Sequence, residues 1–343
     1  MDDPTYAPVA IVGAGPIGLE LAISLKKAGL KYLHFDARQI GHTISWFAPQ
    51  TRFFSSNERI AIAGVPLQTA DQSKASREEY LAYLRAVVEQ FDLEVRTYEP
   101  VAKIERRENG FLLTTDRGNY AVQKIVLATG GTERSRRLNI PGEDLPHVSH
   151  YFSDPHLYFR KRLLIVGGRN SAVEAAIRCH RAGANVSLCY RRERLDSTSI
   201  KYWLMPEIAG LMEGYKIEGH FNTQPVEIKP GEVILRRRDG ENFSVAADFV
   251  LLLIGYEADM SLCRMAGVEM LAPGEVPLFN PATMETNVPG LYVAGTATAG
   301  TQQRYKVFIE NCHSHVQRIA AALTHHAPPA ESPVTVAPEK LES

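Results

Sequence analysis

The chain has 343 residues, with 38 basic and 39 acidic side chains, 45% hydrophobic content and four cysteines. At roughly 150 residues per domain this length implies two domains, each with its own core, and a net charge of −1 excludes a polyanion binder working by bulk charge, because nucleic-acid affinity comes largely from clustered Lys and Arg. Cys179, Cys189, Cys263 and Cys312 are too few for a disulfide framework and lack C-x-x-C or zinc-ligand spacing, which fits a reducing cytosol. No run reaches the roughly 18 apolar residues of a spanning helix, and the acidic start Met1-Asp2-Asp3-Pro4 is unlike a signal peptide. The expectation is a soluble cytoplasmic protein with small partners, neither nucleic acid nor membrane.

The first informative stretch is the β-branched run Val9-Ala10-Ile11-Val12, which breaks into Gly13-Ala14-Gly15-Pro16-Ile17-Gly18 and resumes with helical spacing as far as Lys27-Ala28-Gly29. Tyr32-Leu33-His34-Phe35-Asp36 then reads as a second strand ending in a carboxylate, completing a βαβ unit. Hairpin signals follow at Val101–Arg107, Asn109-Gly110 and Phe111–Thr115. The apolar strand Ile125-Val126-Leu127-Ala128 runs out into Thr129-Gly130-Gly131. A second βαβ unit comprises Arg162–Val166, the turn Gly167-Gly168-Arg169-Asn170-Ser171-Ala172, a helix to Gly183, and Asn185–Tyr190. Gly13 and Gly167, Gly29 and Gly183, and Asp36 and Tyr190 all keep an offset of 154 residues, so the two units align without a gap. Beyond them lie a hairpin pattern from Pro225 to Arg237, the strand Phe249–Leu253 ending in Ile254-Gly255, and the strand Leu291–Ala294 ending in Gly295. A helix is expected from about Gln303 to Leu323, and a Pro- and Ser-rich tail over 326–343 is expected to be disordered.

A strand-to-helix turn with glycines lets a pyrophosphate approach the backbone, where free N–H groups and the helix dipole bind it. Gly13, Gly15 and Gly18, with Pro16 and Ile17 between them, form such a turn, and Asp36 with Ala37 stands about 20 residues on, where a carboxylate accepts from a ribose 2′-hydroxyl. In the second turn Arg169 and Ala172 replace the last two glycines, Tyr190 takes the slot of Asp36, and Arg191, Arg192 and Arg194 follow. Loss of the acid with gain of guanidiniums suits a ribose 2′-phosphate, which Arg grips with a planar charged fork. The first site therefore suits FAD and the second NADPH, a pair that supports hydride transfer from nicotinamide to flavin and onward reduction of another molecule.

In order and spacing these motifs resemble the flavoprotein pyridine-nucleotide-disulfide oxidoreductases of the small thioredoxin-reductase type, over about residues 7 to 325. The resemblance implies an α/β fold of two Rossmann-like, three-layer ββα dinucleotide-binding domains, the NADPH domain inserted into the FAD domain. The expected boundaries are 5–133 and 258–325 for FAD and 134–257 for NADPH. It also implies that Thr129, Gly130, Gly295 and Thr296 border the flavin, that the helix after Gly295 aims its N-terminus at the ring, that Ile254 and Gly255 border NADPH, and that the protein is a homodimer. A closer likeness is to the bacillithiol-disulfide reductases, carried by Thr51-Arg52-Phe53-Phe54-Ser55-Ser56, His150-Tyr151-Phe152, Gly167-Gly168-Arg169-Asn170-Ser171, Tyr190-Arg191 with Ser199-Ile200-Lys201, Met284-Glu285-Thr286-Asn287-Val288 and Phe308-Ile309-Glu310-Asn311. In that family Phe54, Ser55 and Ser56 would lie on a loop over the isoalloxazine. The family's thiol inside the first glycine turn is replaced here by Ile17, so disulfide reduction through that cysteine does not carry over.

The remaining candidates are cysteines and histidines. Cys179 and Cys189 align through the repeat with Leu25 and Phe35, which marks them as core residues. Cys312 sits on the apolar stripe Ile309, Cys312, Val316, Ile319 and Leu323, so packing is the first reading and catalysis a second. Cys263 has no assigned role, and the histidines show no metal spacing. The acceptor expected is a small-molecule disulfide or a small redox protein. Ferredoxin or flavodoxin–NADP reductases, which need no thiol, are the main alternative; a flavin monooxygenase and a non-catalytic redox-sensing flavoprotein stand further off.

Overall fold

The computed structural model describes residues 5–303 and 306–324; the tail expected to be disordered lies outside them. The described chain divides into two compact units, one formed by 5–45, 50–134, 256–303 and 306–324, the other by 46–49 and 135–255.

In the first unit, β1 (Thr5–Val12), α1 (Pro16–Lys27) and β2 (Tyr32–Phe35) form the expected βαβ element. Strand β1 is flanked by β2 and by β5 (Asn119–Leu127), both parallel to it. The nine-residue β5 has a divided outer edge. Its first half pairs antiparallel with β4 (Gly110–Thr114), which pairs with β3 (Lys103–Arg107), and its second half pairs parallel with Leu291–Val293. Val9, Ala10, Ile11 and Val12 are all buried, as a strand covered on both faces must be. Helix α2 (Arg77–Gln90) starts at a capping box in which Ser76 and Glu79 exchange hydrogen bonds.

The second unit repeats the pattern with β6 (Arg162–Val166), α3 (Asn170–Arg181) and β7 (Asn185–Tyr190). Its sheet also holds β8 (Glu218–Phe221), parallel to β7, and Phe249–Leu252, parallel to β6. A separate antiparallel sheet contains β9 (Thr223–Lys229), β10 (Glu232–Arg237) and β11 (Asn242–Ala246). The gap-free repeat extends to individual hydrogen bonds. Gly13 N donates to Phe35 O as Gly167 N does to Cys189 O, and the bonds Gly29 N to Lys26 O and Leu30 N to Leu25 O recur as Gly183 N to His180 O and Ala184 N to Cys179 O.

The last helix begins later than the expected start near Gln303. A 3₁₀ turn covers Ile309–Asn311, and the α-helix α4 runs His313–Thr324. Ahead of it, Gln302 Oε1 accepts from Lys306 N at 2.8 Å and Val307 N at 3.0 Å, and its Nε2 donates to Val307 O. Asn311 Oδ1 accepts from Phe308 N in the same way. The segment directly after Gly295 is a 3₁₀ turn, Gly295–Ala299.

Candidate functional site

Strand β1 ends at the carboxyl edge of its sheet in Gly13, whose φ is 110°. A Cβ on Gly13 would lie 2.3 Å from Ala128 O, and one on Gly18 would lie 2.0 Å from Gly13 O, so both positions need glycine for packing. Gly15 differs: a Cβ there meets nothing within 4 Å, and its φ of −74° suits any residue. The open space at Gly15 is what a pyrophosphate needs. No side chain caps α1 at this end, so its first-turn N–H groups are available to an anion.

The Asp36 carboxylate accepts from Ala14 N at 2.6 Å and Arg38 N at 2.7 Å, and burial pushes its pKa up against the pull of those N–H groups. It thereby fixes the turn, a role the sequence does not reveal. His34, which sequence reasoning missed, also braces the turn. Fully buried, it donates from Nε2 to Gly13 O at 2.9 Å, and burial lowers its pKa to about 4, keeping the ring neutral. Exposed Ala37 follows Asp36.

The distant candidates around this turn converge. Gly130 (φ 85°) has open space where a Cβ would point, a Cβ on Gly131 would lie 3.0 Å from Thr296 O, and one on Gly295 would lie 3.4 Å from the Cβ of Ile17. Thr129 and Gly130, Gly295 and Thr296, and the turn Gly13 to Gly18 thus share one edge of the sheet. Phe54 is 57% exposed, with Lys74 Nζ 5.2 Å from its ring centre. Ser55 donates its hydroxyl to Glu310, and Ser56 stands at the start of the short helix Asn57–Ile60.

A polar network ties this loop to α1 and α4. His313 Nδ1 lies 2.7 Å from Glu20 Oε2 and its Nε2 3.0 Å from Arg59 O, while Arg59 also pairs with Glu310 at 3.3 Å. With an acceptor at each nitrogen the ring is held as imidazolium, and the bond to Glu20 raises its pKa. A folded-state pKa above the unfolded value of about 6.5 means this stabilisation is complete below that value and lost as pH rises through the raised one. Thermal melts of the wild type should therefore lose stability across that window, and His313→Gln should remove that component of the pH dependence.

In the second unit Gly167 (φ 146°) has the same environment as Gly13: a Cβ would lie 2.4 Å from Leu253 O. A Cβ on Gly168 would lie 2.5 Å from the ring of Tyr190, which is buried in the slot where the first unit has its acid. Arg169 is exposed at the uncapped start of α3, Ser171 is exposed, and Ala172 packs beneath Gly167. Asn170 is used internally, its Oδ1 accepting from Lys201 N at 2.6 Å; Lys201 Nζ pairs with Glu174 at 3.0 Å. Arg191, Arg192 and Arg194 are exposed, and Asp196 lies within electrostatic reach of Arg192. Ile254 and Gly255 leave the sheet beside the turn, Gly255 O accepting from Arg136 N. The exposed arginines and the missing acid fit NADPH, as the open cradle at Gly15 and the half-buried acid fit FAD.

All four cysteines are free and buried. Burial pushes the thiols of Cys179, Cys263 and Cys312 up to about 12 and that of Cys189 to about 11, far from the thiolate a nucleophile requires. Cys263, without a role in the sequence reading, is a core residue of the first unit. Cys312→Ser should leave turnover unchanged and cost about 1–3 kcal/mol of stability by burying a hydroxyl, measured by steady-state rates beside denaturant melts. Among the described residues no group of three His, Cys, Asp or Glu could hold a metal, and no helix is long and apolar enough to cross a membrane.

Two equivalent turns, one followed by a half-buried acid and the other by tyrosine and arginines, define a two-dinucleotide oxidoreductase. The chain belongs to the pyridine nucleotide-disulphide oxidoreductase family, whose profile matches residues 10–295. It is 35% identical over 314 residues to the bacilliredoxin reductase Bdr of Bacillus subtilis (strain 168), covering 91% of this chain and 96% of that one. The solved structure of bacillithiol disulfide reductase Bdr (YpdA) from Staphylococcus aureus superposes with a TM-score of 0.89 at 32% identity, covering 94% of this chain and 99% of that one. A ferredoxin–NADP reductase of Ignicoccus hospitalis is 28% identical over 301 residues, covering 84% and 89%. The protein is thus an NADPH-dependent flavoprotein oxidoreductase with FAD and NADPH as its cofactors.

Proposed function

We propose that the first unit holds FAD along the edge formed by Gly13 to Gly18, Asp36, Thr129, Gly130, Gly295 and Thr296, with Phe54 to Ser56 over the ring, and that the second unit holds NADPH between Gly167 to Ala172 and Arg191 with Arg192. FAD supplies the capacity to take hydride from NADPH and release the electron pair to an acceptor. The chain's own residues bind and orient: Gly15 leaves room for the pyrophosphate, Asp36 accepts ribose hydroxyls, and the arginines neutralise the 2′-phosphate. The observation that carries this reading is the contrast at one equivalent position, Asp36 in one unit and Tyr190 with its arginines in the other.

The acceptor proposed is a small-molecule disulfide, a choice that the name bacillithiol disulfide reductase of a solved relative supports; the enzyme is proposed to be a cytoplasmic homodimer. In balance, NADPH, one proton and one disulfide give NADP⁺ and two thiols. A second reading rests on a specific observation: Ile17 occupies the turn and every thiol is buried, so an acceptor needing no enzyme thiol, such as a ferredoxin or flavodoxin, also suits the site. Anaerobically reduced enzyme offered low-molecular-weight disulfides, then ferredoxin or flavodoxin, separates the two. Two thiols formed per NADPH consumed is the expected result; reoxidation by the redox proteins alone replaces the disulfide reading with the second one.

A further inference from the structure

The proposed NADPH unit carries a second basic element that the glycine turn and the Tyr190 tract leave unexplained. Strand β8 ends with Phe221 paired in register with Tyr190, the residue in the acid slot. The next residue, Asn222, donates its N–H to Arg192 O at 3.0 Å, which brings the end of β8 against the arginine tract. Phe221 and Asn222 line a groove of about 480 Å³ whose other walls are Arg237, Arg238 and Asp239, from the turn after β10.

The charged groups in this groove are not equivalent. Arg237 is committed to its own hairpin, 3.4 Å from Glu241 and 4.5 Å from the centre of the Phe243 ring. Asp239 Oδ1 accepts from Glu241 N at 3.1 Å and so helps form the turn. Arg238 is exposed and has no hydrogen bond or ion pair among the described residues. Ligands of parallel α/β sheets bind beyond the carboxyl ends of the strands, and both β7 and β8 end here. Through Asn222 the end of β8 thus joins the backbone of Arg192 to the groove that Arg238 lines.

We infer that Arg238 is a specificity-determining residue that completes the 2′-phosphate site from the antiparallel sheet, with the adenosine lodged in the groove at Asn222. This rests on the NADPH reading above. The guanidinium would add a charge-assisted hydrogen bond to the phosphate, and its contribution would fall with added salt, as expected of an exposed group.

Calorimetric titration of the FAD-loaded protein with adenosine 2′,5′-bisphosphate and with 5′-AMP tests it without turnover. The wild type should prefer the bisphosphate. Arg238→Ala should weaken the bisphosphate about tenfold and 5′-AMP less than about twofold, and Arg238→Lys should recover part of the loss. Arg238→Ala binding both probes like the wild type, while Arg191→Ala with Arg192→Ala loses the bisphosphate, overturns the role of Arg238 and leaves NADPH recognition standing. An equal loss for both probes also overturns it. A wild type with no preference for the bisphosphate overturns the NADPH reading itself.

Discussion

Gly15→Ala should lower FAD affinity about 100-fold, roughly 2.7 kcal/mol, while leaving the melting temperature of the apoprotein close to that of the wild type. The added methyl group meets no protein atom within 4 Å, and the backbone there is compatible with alanine. What it fills is the space a pyrophosphate would occupy. Gly13→Ala provides the contrast. At φ 110°, with a Cβ 2.3 Å from Ala128 O, it must displace backbone, and a loss of about 3 kcal/mol or more from the apoprotein is expected. FAD retention on gel filtration beside denaturant melts distinguishes the two effects. If Gly15→Ala retained FAD with unchanged affinity, the cradle would not be where the turn places it.

Arg191→Ala combined with Arg192→Ala should raise the Michaelis constant for NADPH about 100-fold and that for NADH less than about twofold, because each guanidinium–phosphate bond contributes on the order of 1.5–3 kcal/mol and NADH lacks the phosphate. Both side chains are exposed, so the fold should survive the change. The discrimination should shrink at high salt. Equal increases for the two nucleotides would remove the arginines from phosphate recognition.

The parts of the fold governed by local backbone rules are the most legible in the sequence. Gly13, Gly18 and Gly167 are fixed by carbonyl oxygens that a Cβ would strike, and the first of them recurs 154 residues on as Gly167, whereas Gly18 is matched by Ala172. Asp36 is legible because its distance from the turn follows from one helix and one strand. Tertiary partnerships are not. His34 beneath Gly13 and His313 between Glu20 and Arg59 look like ordinary strand and helix residues until the chain is folded. Helix α4 starts at His313 rather than near Gln303 as expected, and the side-chain amides of Gln302 and Asn311 take up the backbone N–H groups of Lys306, Val307 and Phe308 ahead of it. Helix α2 shows the opposite case: Ser76 and Glu79 spell a capping box in the sequence, yet the hairpin signals after it are the pattern that stands out there.

The cysteines connect fold to chemistry. Their burial gives the enzyme no activated thiol, which places the weight of the mechanism on the two dinucleotide sites. Rapid anaerobic mixing of the FAD-loaded enzyme with NADPH, followed through flavin absorbance, tests that claim most directly. Full bleaching of the flavin by one equivalent of NADPH is expected, with NADH much slower at equal concentration. A flavin that stays oxidised under excess NADPH would contradict it.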